Sequence, residues 1–314
     1  MKAKKSVLFC LLLALGVAIV APLRATRALA TPPANTSAAS MAVIEASSGR
    51  LLYAKNGNAK RPIASTTKIC TAITVLENCD DIEKTIVVPD AAVGVEGSSI
   101  YLQKGEKVKI IDLLYGLMLR SGNDCATALA ITVGGSVEQF AALMNETAIK
   151  AGATDSHFVN PHGLHHDEHY TTACDLAKIT AYAFKNETFE KIVATKTHVM
   201  PWEGRDYPRT MHNKNKILST YEGGDGVKTG FTKKAGRCLV SSATRNGMRV
   251  IAVVLNCGPM FEECAALMDK AFEEYSLFCP IENPIEAQAS VKDGKEGNVS
   301  LTSKDTFLYP IKKG

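Results

Sequence analysis

The sequence predicts an α/β chain of the α+β type, with an antiparallel sheet flanked by helices and a helical lobe inserted into it. Two observations carry this. Strand-like apolar runs lie near both ends of the chain, while helical periodicity fills the middle, about residues 65–195. The late strand-like runs are also joined by turns too short for a parallel crossover.

The elements follow in chain order. Met41–Ala46 and Leu51–Ala54 flank Ser47-Ser-Gly-Arg50, two short strands around a turn signal. Apolar residues at helical spacing then run through Ile69–Leu76, Ile110–Leu119, Ala126–Val133, Phe140–Ile149 and Leu176–Phe184. Ser136 with Gln139 forms a capping-box pattern at the start of one helix, and Gly152 is placed to end it. Gly226–Thr232, Cys238–Ala243 and Val250–Leu255 are apolar, β-branched strands, and an amphipathic helix follows from Phe261 to Tyr275. Glu286–Val291, Asn298–Thr302 and Thr306–Ile311 read as short strands of a tail that begins at residue 280. Thirty-five residues are too few for a core of their own, so the tail reads as the start of a truncated β-domain.

The 314 residues are 46% hydrophobic and 22% charged, which excludes a disordered, collagen-like or coiled-coil protein. The net charge of +4 comes from the N-terminus, where Lys2, Lys4, Lys5, Arg24 and Arg27 stand without an acid. The rest is nearly neutral, which argues against nucleic acid as a partner. That basic start, the apolar stretch Val7–Val20 and Ala28-Leu29-Ala30 have the layout of an export signal over residues 1–30, with a polar leader over 31–40. Beyond it no stretch reaches the roughly 20 apolar residues of a membrane span. The eight cysteines after Cys10 are scattered without a CxxC pair, a spacing that fits buried free thiols better than disulfides or a zinc ribbon.

Three motifs can carry chemistry. Ser65-Thr-Thr-Lys68 opens an apolar-periodic run, so Ser65 and Lys68 lie on one helix face, where a depressed lysine could act as base toward a serine. Ser121-Gly-Asn123 falls where a helix gives way to a turn, with Ser121 able to relay a proton and Asn123 able to hold a carbonyl or steady a lysine. Lys228-Thr-Gly230 lies in a strand, where Lys228 could bind a carboxylate and lower the pKa of another lysine, and Gly230 admits a close backbone approach. Each motif alone is also compatible with an ordinary surface helix, turn or edge strand; together, in this order, they are far more specific.

In this order the motifs resemble the serine penicillin-recognising enzymes. Within these the chain is similar to the low-molecular-mass D-alanyl-D-alanine carboxypeptidases, peptidase family S11. The likeness runs over about residues 40–280. It includes Ala64-Ser-Thr-Thr-Lys-Ile69, Leu119-Arg-Ser-Gly-Asn-Asp124, Asn160-Pro-His-Gly-Leu164 and Asp225-Gly-Val-Lys-Thr-Gly-Phe-Thr232. The resemblance implies the β-lactamase/transpeptidase-like fold, with a catalytic domain over 41–279. It implies Ser65 as acylated nucleophile, Lys68 as its proton acceptor and Ser121 as proton shuttle. Asn123 would position the substrate, and Lys228 and Thr229 would hold its terminal carboxylate. Gly230 and Phe231 would complete the binding strand, with the oxyanion on the amides of Ser65 and Phe231. The implied partner is a peptidoglycan stem peptide ending in D-Ala-D-Ala, with β-lactams as inhibitors, no cofactor and no metal, in an exported, cell-wall-facing protein.

The chain departs from the family pattern in two places. Many members carry an arginine just before the last helix of this domain, whereas here none follows Arg249 and the matching stretch reads Gly258-Pro-Met-Phe-Glu-Glu-Cys264. A C-terminal membrane anchor is not evident. Two alternatives remain at this stage. A β-lactamase would want a Glu-x-x-Leu-Asn motif, which is not found between residues 140 and 190. The other is a catalytically weakened wall-binding protein. The five histidines between His157 and His169 invite a metal reading, but Asn160-Pro161 and Gly163 make this a turn-rich loop without HExxH.

Overall fold

A computed structural model describes residues 36–279, 286–290, 298–302 and 308–314. The proposed export signal and the first five residues of the leader lie outside the described residues. Strands β1 (Ser40–Glu45), β2 (Leu51–Lys55), β7 (Gly224–Thr232), β8 (Gly236–Arg245) and β9 (Met248–Leu255) form one sheet. Its order is β2-β1-β9-β8-β7 and every pair is antiparallel. The first strands of the chain therefore lie beside its late strands.

Both faces of this sheet are covered, which explains why β9 is apolar at nearly every position. Ile251, Val253 and Leu255 face the main core, and Val250, Ala252 and Val254 face a second one. The second core is closed by α8 (Met260–Glu274) through Cys264, Leu267, Met268 and Ala271. The main core is closed by the inserted lobe: α1 (Lys68–Asn78), α2 (Ile110–Tyr115), α3 (Asn123–Gly134), α4 (Val137–Lys150), α5 (Ala173–Ala183) and α6 (Glu187–Ala194). A one-turn α7 (Ile217–Thr220) leads back into β7. The capping pattern forms: Ser136 Oγ accepts from Gln139 N at 3.1 Å, and Gly152 ends α4 at φ +75°.

Three features depart from the expected elements. The run Ile110–Leu119 is not one helix, because after Tyr115 the backbone widens into a π-turn over Gly116–Arg120. The lobe also carries two hairpins that the apolar spacing does not reveal. These are β3 (Thr85–Val87) with β4 (Lys107–Lys109), and β5 (Thr197–Met200) with β6 (Arg209–His212). Strands of three or four residues are too short to register a period. In the tail, β11 (Glu286–Ser290) pairs with β12 (Asn298–Thr302), and β13 (Tyr309–Lys312) returns to pair with β10 (Tyr275–Phe278). Six of the eight described cysteines are buried, and the seven from Cys70 to Cys264 are free thiols.

Candidate active site

The site lies between the helical lobe and the edge strand β7. Ala64–Thr67 makes one 3-10 turn before α1, with Ala64 held at φ +49°. This turn presents the Ser65 side chain, and one helical step on, Lys68 stands under it on the same face. Lys68 is fully buried. Its Nζ lies 3.1 Å from Ser65 Oγ, 2.7 Å from Asn123 Oδ1 and 2.7 Å from His162 O.

An ammonium could donate to all three oxygens. With one proton gone, the amide and peptide oxygens, which can only accept, keep two N–H bonds, and the lone pair is left for the Ser65 hydroxyl, which can also donate. Burial, and next the Lys228 cation, hold the Lys68 amine well below the usual lysine range. Among the described residues no carboxylate forms an ion pair with it. A lysine held low in this way is the kind that can serve as a general base.

Asn123 reaches the same place from just beyond the π-turn, and Ser121 caps the end of that turn. Ser121 sits in the left-handed region at φ +65°, a conformation that non-glycine residues seldom adopt. Its Oγ is buried with no hydrogen-bond partner among the described residues. A buried hydroxyl left unpaired costs stability, so a partner supplied by a bound molecule is its natural complement. Asn123 Nδ2 donates to Glu96 O at 2.6 Å, which fixes its Oδ1 toward Lys68.

On β7, Lys228 and Gly230 share the face that packs on the Ser65 turn. Lys228 is 1% exposed, its Nζ donates to Thr229 O at 3.0 Å, and burial with the Lys214 cation pushes its pKa down to about 7. A β-carbon at Gly230 would stand 3.1 Å from Ser65 N and 3.0 Å from Ile63 O. The glycine is thus required first by the protein's own backbone: it lets β7 come within van der Waals distance of the Ser65 amide. Phe231 follows with an exposed side chain, paired in register with Arg237.

The loop Asn160–Leu164 is a part of the site to which sequence reasoning gave no role. Asn160 Oδ1 accepts from Gly163 N at 2.8 Å and its Nδ2 donates to Leu164 O at 3.0 Å, which curls the loop. The curl aims His162 O at Lys68 and lets Gly163, at φ +84°, lie directly on Ala64. Thr71 Oγ1 donates to Pro161 O at 2.6 Å and ties the loop to α1. The imidazoles hold this loop rather than act as a cluster. His169 Nδ1 accepts from Val159 N, which leaves Nε2–H to donate to Thr67 Oγ1 at 2.8 Å. His162 Nδ1 accepts from Leu164 N at 3.2 Å. The signal available in the sequence was an Asx-turn with a glycine at a tight approach; its contact with Ala64, Thr67 and Lys68 belongs to the fold.

Both histidines are held neutral. Burial and Lys68 push His162 down to about 4, and burial with neighbouring histidines pushes His169 down to about 3. A base whose folded pKa is depressed binds fewer protons folded than unfolded, between its folded value and the ordinary 6.5. Stability is therefore expected to fall as pH drops from about 6.5 toward 4, by a few kcal/mol in all. Denaturant midpoints measured across that range check it; a flat profile would show that these rings do not hold the loop in neutral form.

The last arginine is committed elsewhere. Arg249 Nε donates to Asp225 Oδ2 at 3.1 Å, its other arm pairs with Glu190, and its guanidinium lies 4.2 Å over the Phe184 ring. The stretch Gly258–Cys264 opens α8 with Glu262 and Glu263 in its first turn and supplies no cation.

Comparison with known proteins places the chain. The family profile described as D-alanyl-D-alanine carboxypeptidase (peptidase S11) matches residues 26–258. D-alanyl-D-alanine carboxypeptidase DacF of Bacillus subtilis is 34% identical over 286 residues, covering 88% of this chain and 73% of that protein. The D-alanyl-D-alanine carboxypeptidase of Streptomyces sp. strain K15 is 38% identical over 248 residues, covering 74% and 85%. Among solved structures, DacD from Francisella tularensis superposes with a TM-score of 0.74 at 25% identity, covering 89% of this chain and 82% of that one. The Streptomyces K15 DD-transpeptidase gives 0.71 at 35% identity, covering 77% and 99%.

Proposed function

Since the chain belongs to the D-alanyl-D-alanine carboxypeptidase family of serine peptidases (peptidase S11), we propose that it removes the terminal D-alanine from peptidoglycan stem peptides through an ester on Ser65. The observation that carries this is the Lys68 amine, buried, ringed by oxygens and 3.1 Å from Ser65 Oγ.

The steps follow from the placement of the groups. Ser65 Oγ attacks the carbonyl carbon of the penultimate D-alanine while its proton passes to Lys68 Nζ. The oxygen of that carbonyl takes up negative charge, which the amides of Ser65 and Phe231 would receive; donors aimed at such charge lower a barrier by several kcal/mol. Collapse breaks the peptide bond, and the departing D-alanine nitrogen receives its proton by way of Ser121. Water then attacks the ester, with Lys68 as base again, and frees the shortened peptide and Ser65. Lys228 and Thr229 take the terminal carboxylate. A lysine poised near neutrality becomes fully charged once an anion is bound against it, so the Lys228 amine serves a carboxylate ligand better than its free state suggests. With no arginine at the start of α8, these two residues carry that contact.

A β-lactam presents a similar carbonyl beside a carboxylate, and its opened ring stays attached after Ser65 attacks. In this reading residues 41–279 form the catalytic domain, residues from 280 open a second β-unit, and the N-terminal segment directs export to the cell wall. Intact mass after incubation with penicillin tests the site. An adduct mapped to the peptide bearing Ser65, and D-alanine released from diacetyl-Lys-D-Ala-D-Ala in competition with penicillin, are expected. Absence of both adduct and release would overturn the assignment, and fast penicillin turnover would make the chain a β-lactamase instead.

A further inference from the structure

Asn123 orients Lys68, and the groups that orient Asn123 come from one irregular segment, residues 96–102, which lies in neither helix nor strand. Glu96 O accepts from Asn123 Nδ2 at 2.6 Å and Ser98 O accepts from Asn123 N at 2.6 Å. Between them Gly97, at φ +98°, passes so close that a β-carbon there would stand 2.7 Å from Asn123 Nδ2. A segment without a backbone ladder needs another restraint if it is to hold an active-site side chain to a fraction of an ångström.

That restraint is the next residue, Asp124, which is 1% exposed at the start of α3. Its Oδ2 accepts from Ser99 Oγ at 2.6 Å, Ile100 N at 3.0 Å and Leu102 N at 3.1 Å. Its Oδ1 accepts from Cys125 N at 2.9 Å. One carboxylate thus gathers three donors of the segment, and these charge-assisted bonds are the strong kind. They also hold Tyr101, between two of those donors, at φ +63°, with its own N donating to Ser99 Oγ at 2.7 Å. The chain is therefore closed in a loop: Asp124 holds 96–102, which holds Asn123, which holds Lys68.

We propose that Asp124 is a positioning residue for the acylation step, clamping residues 96–102 so that Asn123 keeps the Lys68 amine aimed at Ser65. The proposal rests on the acyl-serine reading for its effect on rate, but the clamp itself can be observed without turnover.

Two variants test it. Asp124→Asn keeps the shape but has one accepting oxygen and brings an NH2 against N–H donors. Ser99→Ala removes the bond to Asp124, together with the one Ser99 Oγ accepts from Tyr101 N, and leaves α3 untouched. Penicillin acylation under single-turnover conditions is expected to slow about 100-fold in Asp124→Asn and about 3–10-fold in Ser99→Ala, the loss expected of a misplaced catalytic group. The loss should fall on the acylation rate constant and leave the affinity of the non-covalent encounter unchanged, a split that general destabilisation does not produce. Amide hydrogen exchange at Ile100 and Leu102 should quicken in both variants. Wild-type acylation rates in Ser99→Ala with unchanged exchange would overturn the proposal, even if Asp124→Asn fails to fold. If the wild type forms no adduct, the acyl-serine reading fails, and exchange alone then decides whether the clamp exists.

Discussion

Replacing Ser65 by alanine is expected to abolish covalent labelling by penicillin, and replacing Lys68 by alanine to slow it by about 10³–10⁴-fold. The two losses have different origins. Without Ser65 there is no atom to acylate. Without Lys68 the hydroxyl remains, but the proton it must shed has no acceptor at 3.1 Å. The residual rate in Lys68→Ala should come from the oxyanion amides and from binding, which the substitution leaves in place. The variant also strands Asn123 Oδ1 and His162 O, each worth about 1–3 kcal/mol when left unpaired. Against that, it removes a buried amine, so the net change in stability should be much smaller than the change in rate. Stopped-flow acylation beside a denaturation curve separates the two. Labelling of Lys68→Ala at the wild-type rate would remove Lys68 as the base.

Gly163→Ala is the second large effect, and it reaches the chemistry through packing. The added β-carbon would stand 1.9 Å from Ala64 O and 2.7 Å from Thr67 Oγ1, on a backbone already at φ +84°. Backbone cannot yield as a side-chain tip can, so either the 160–164 loop or the Ser65 turn must move. A loss of roughly 3 kcal/mol or more is expected. An acylation rate lower by about 100-fold should accompany it, because the loop carries the His162 carbonyl and the turn carries Ser65. Gly152→Ala is the control: its φ is +75°, yet nothing lies within 4 Å, so only backbone strain of about 1–2 kcal/mol is introduced. Equal stability losses in the two variants would show that conformation, not the approach to Ala64, sets the requirement at 163.

Much of the fold was legible because burial imposes a period. Five helices of the lobe and all five strands of the main sheet lie where apolar spacing predicts them, within a few residues. The β3–β4 and β5–β6 hairpins were not legible, since strands of three and four residues hold too few positions to display alternation. Helix α6 was passed over although Asn186 caps it through Thr188 N and Phe189 N, because eight residues make barely two turns. The break in Ile110–Leu119 is invisible to periodicity for another reason: a π-turn keeps its residues buried while changing the pitch.

By itself the sequence determined which groups are present and which lie on a common face: Ser65 and Lys68 on one helical turn, Lys228 and Gly230 on one side of a strand. It could not determine whether Lys68 is a cation or a base. That depended first on burial, which takes the amine wholly out of water once the lobe closes over it. It also depended on Lys228 standing near enough to oppose a second charge. The energy of a charge is set by distance and by the medium around it, and both exist only once the chain is folded.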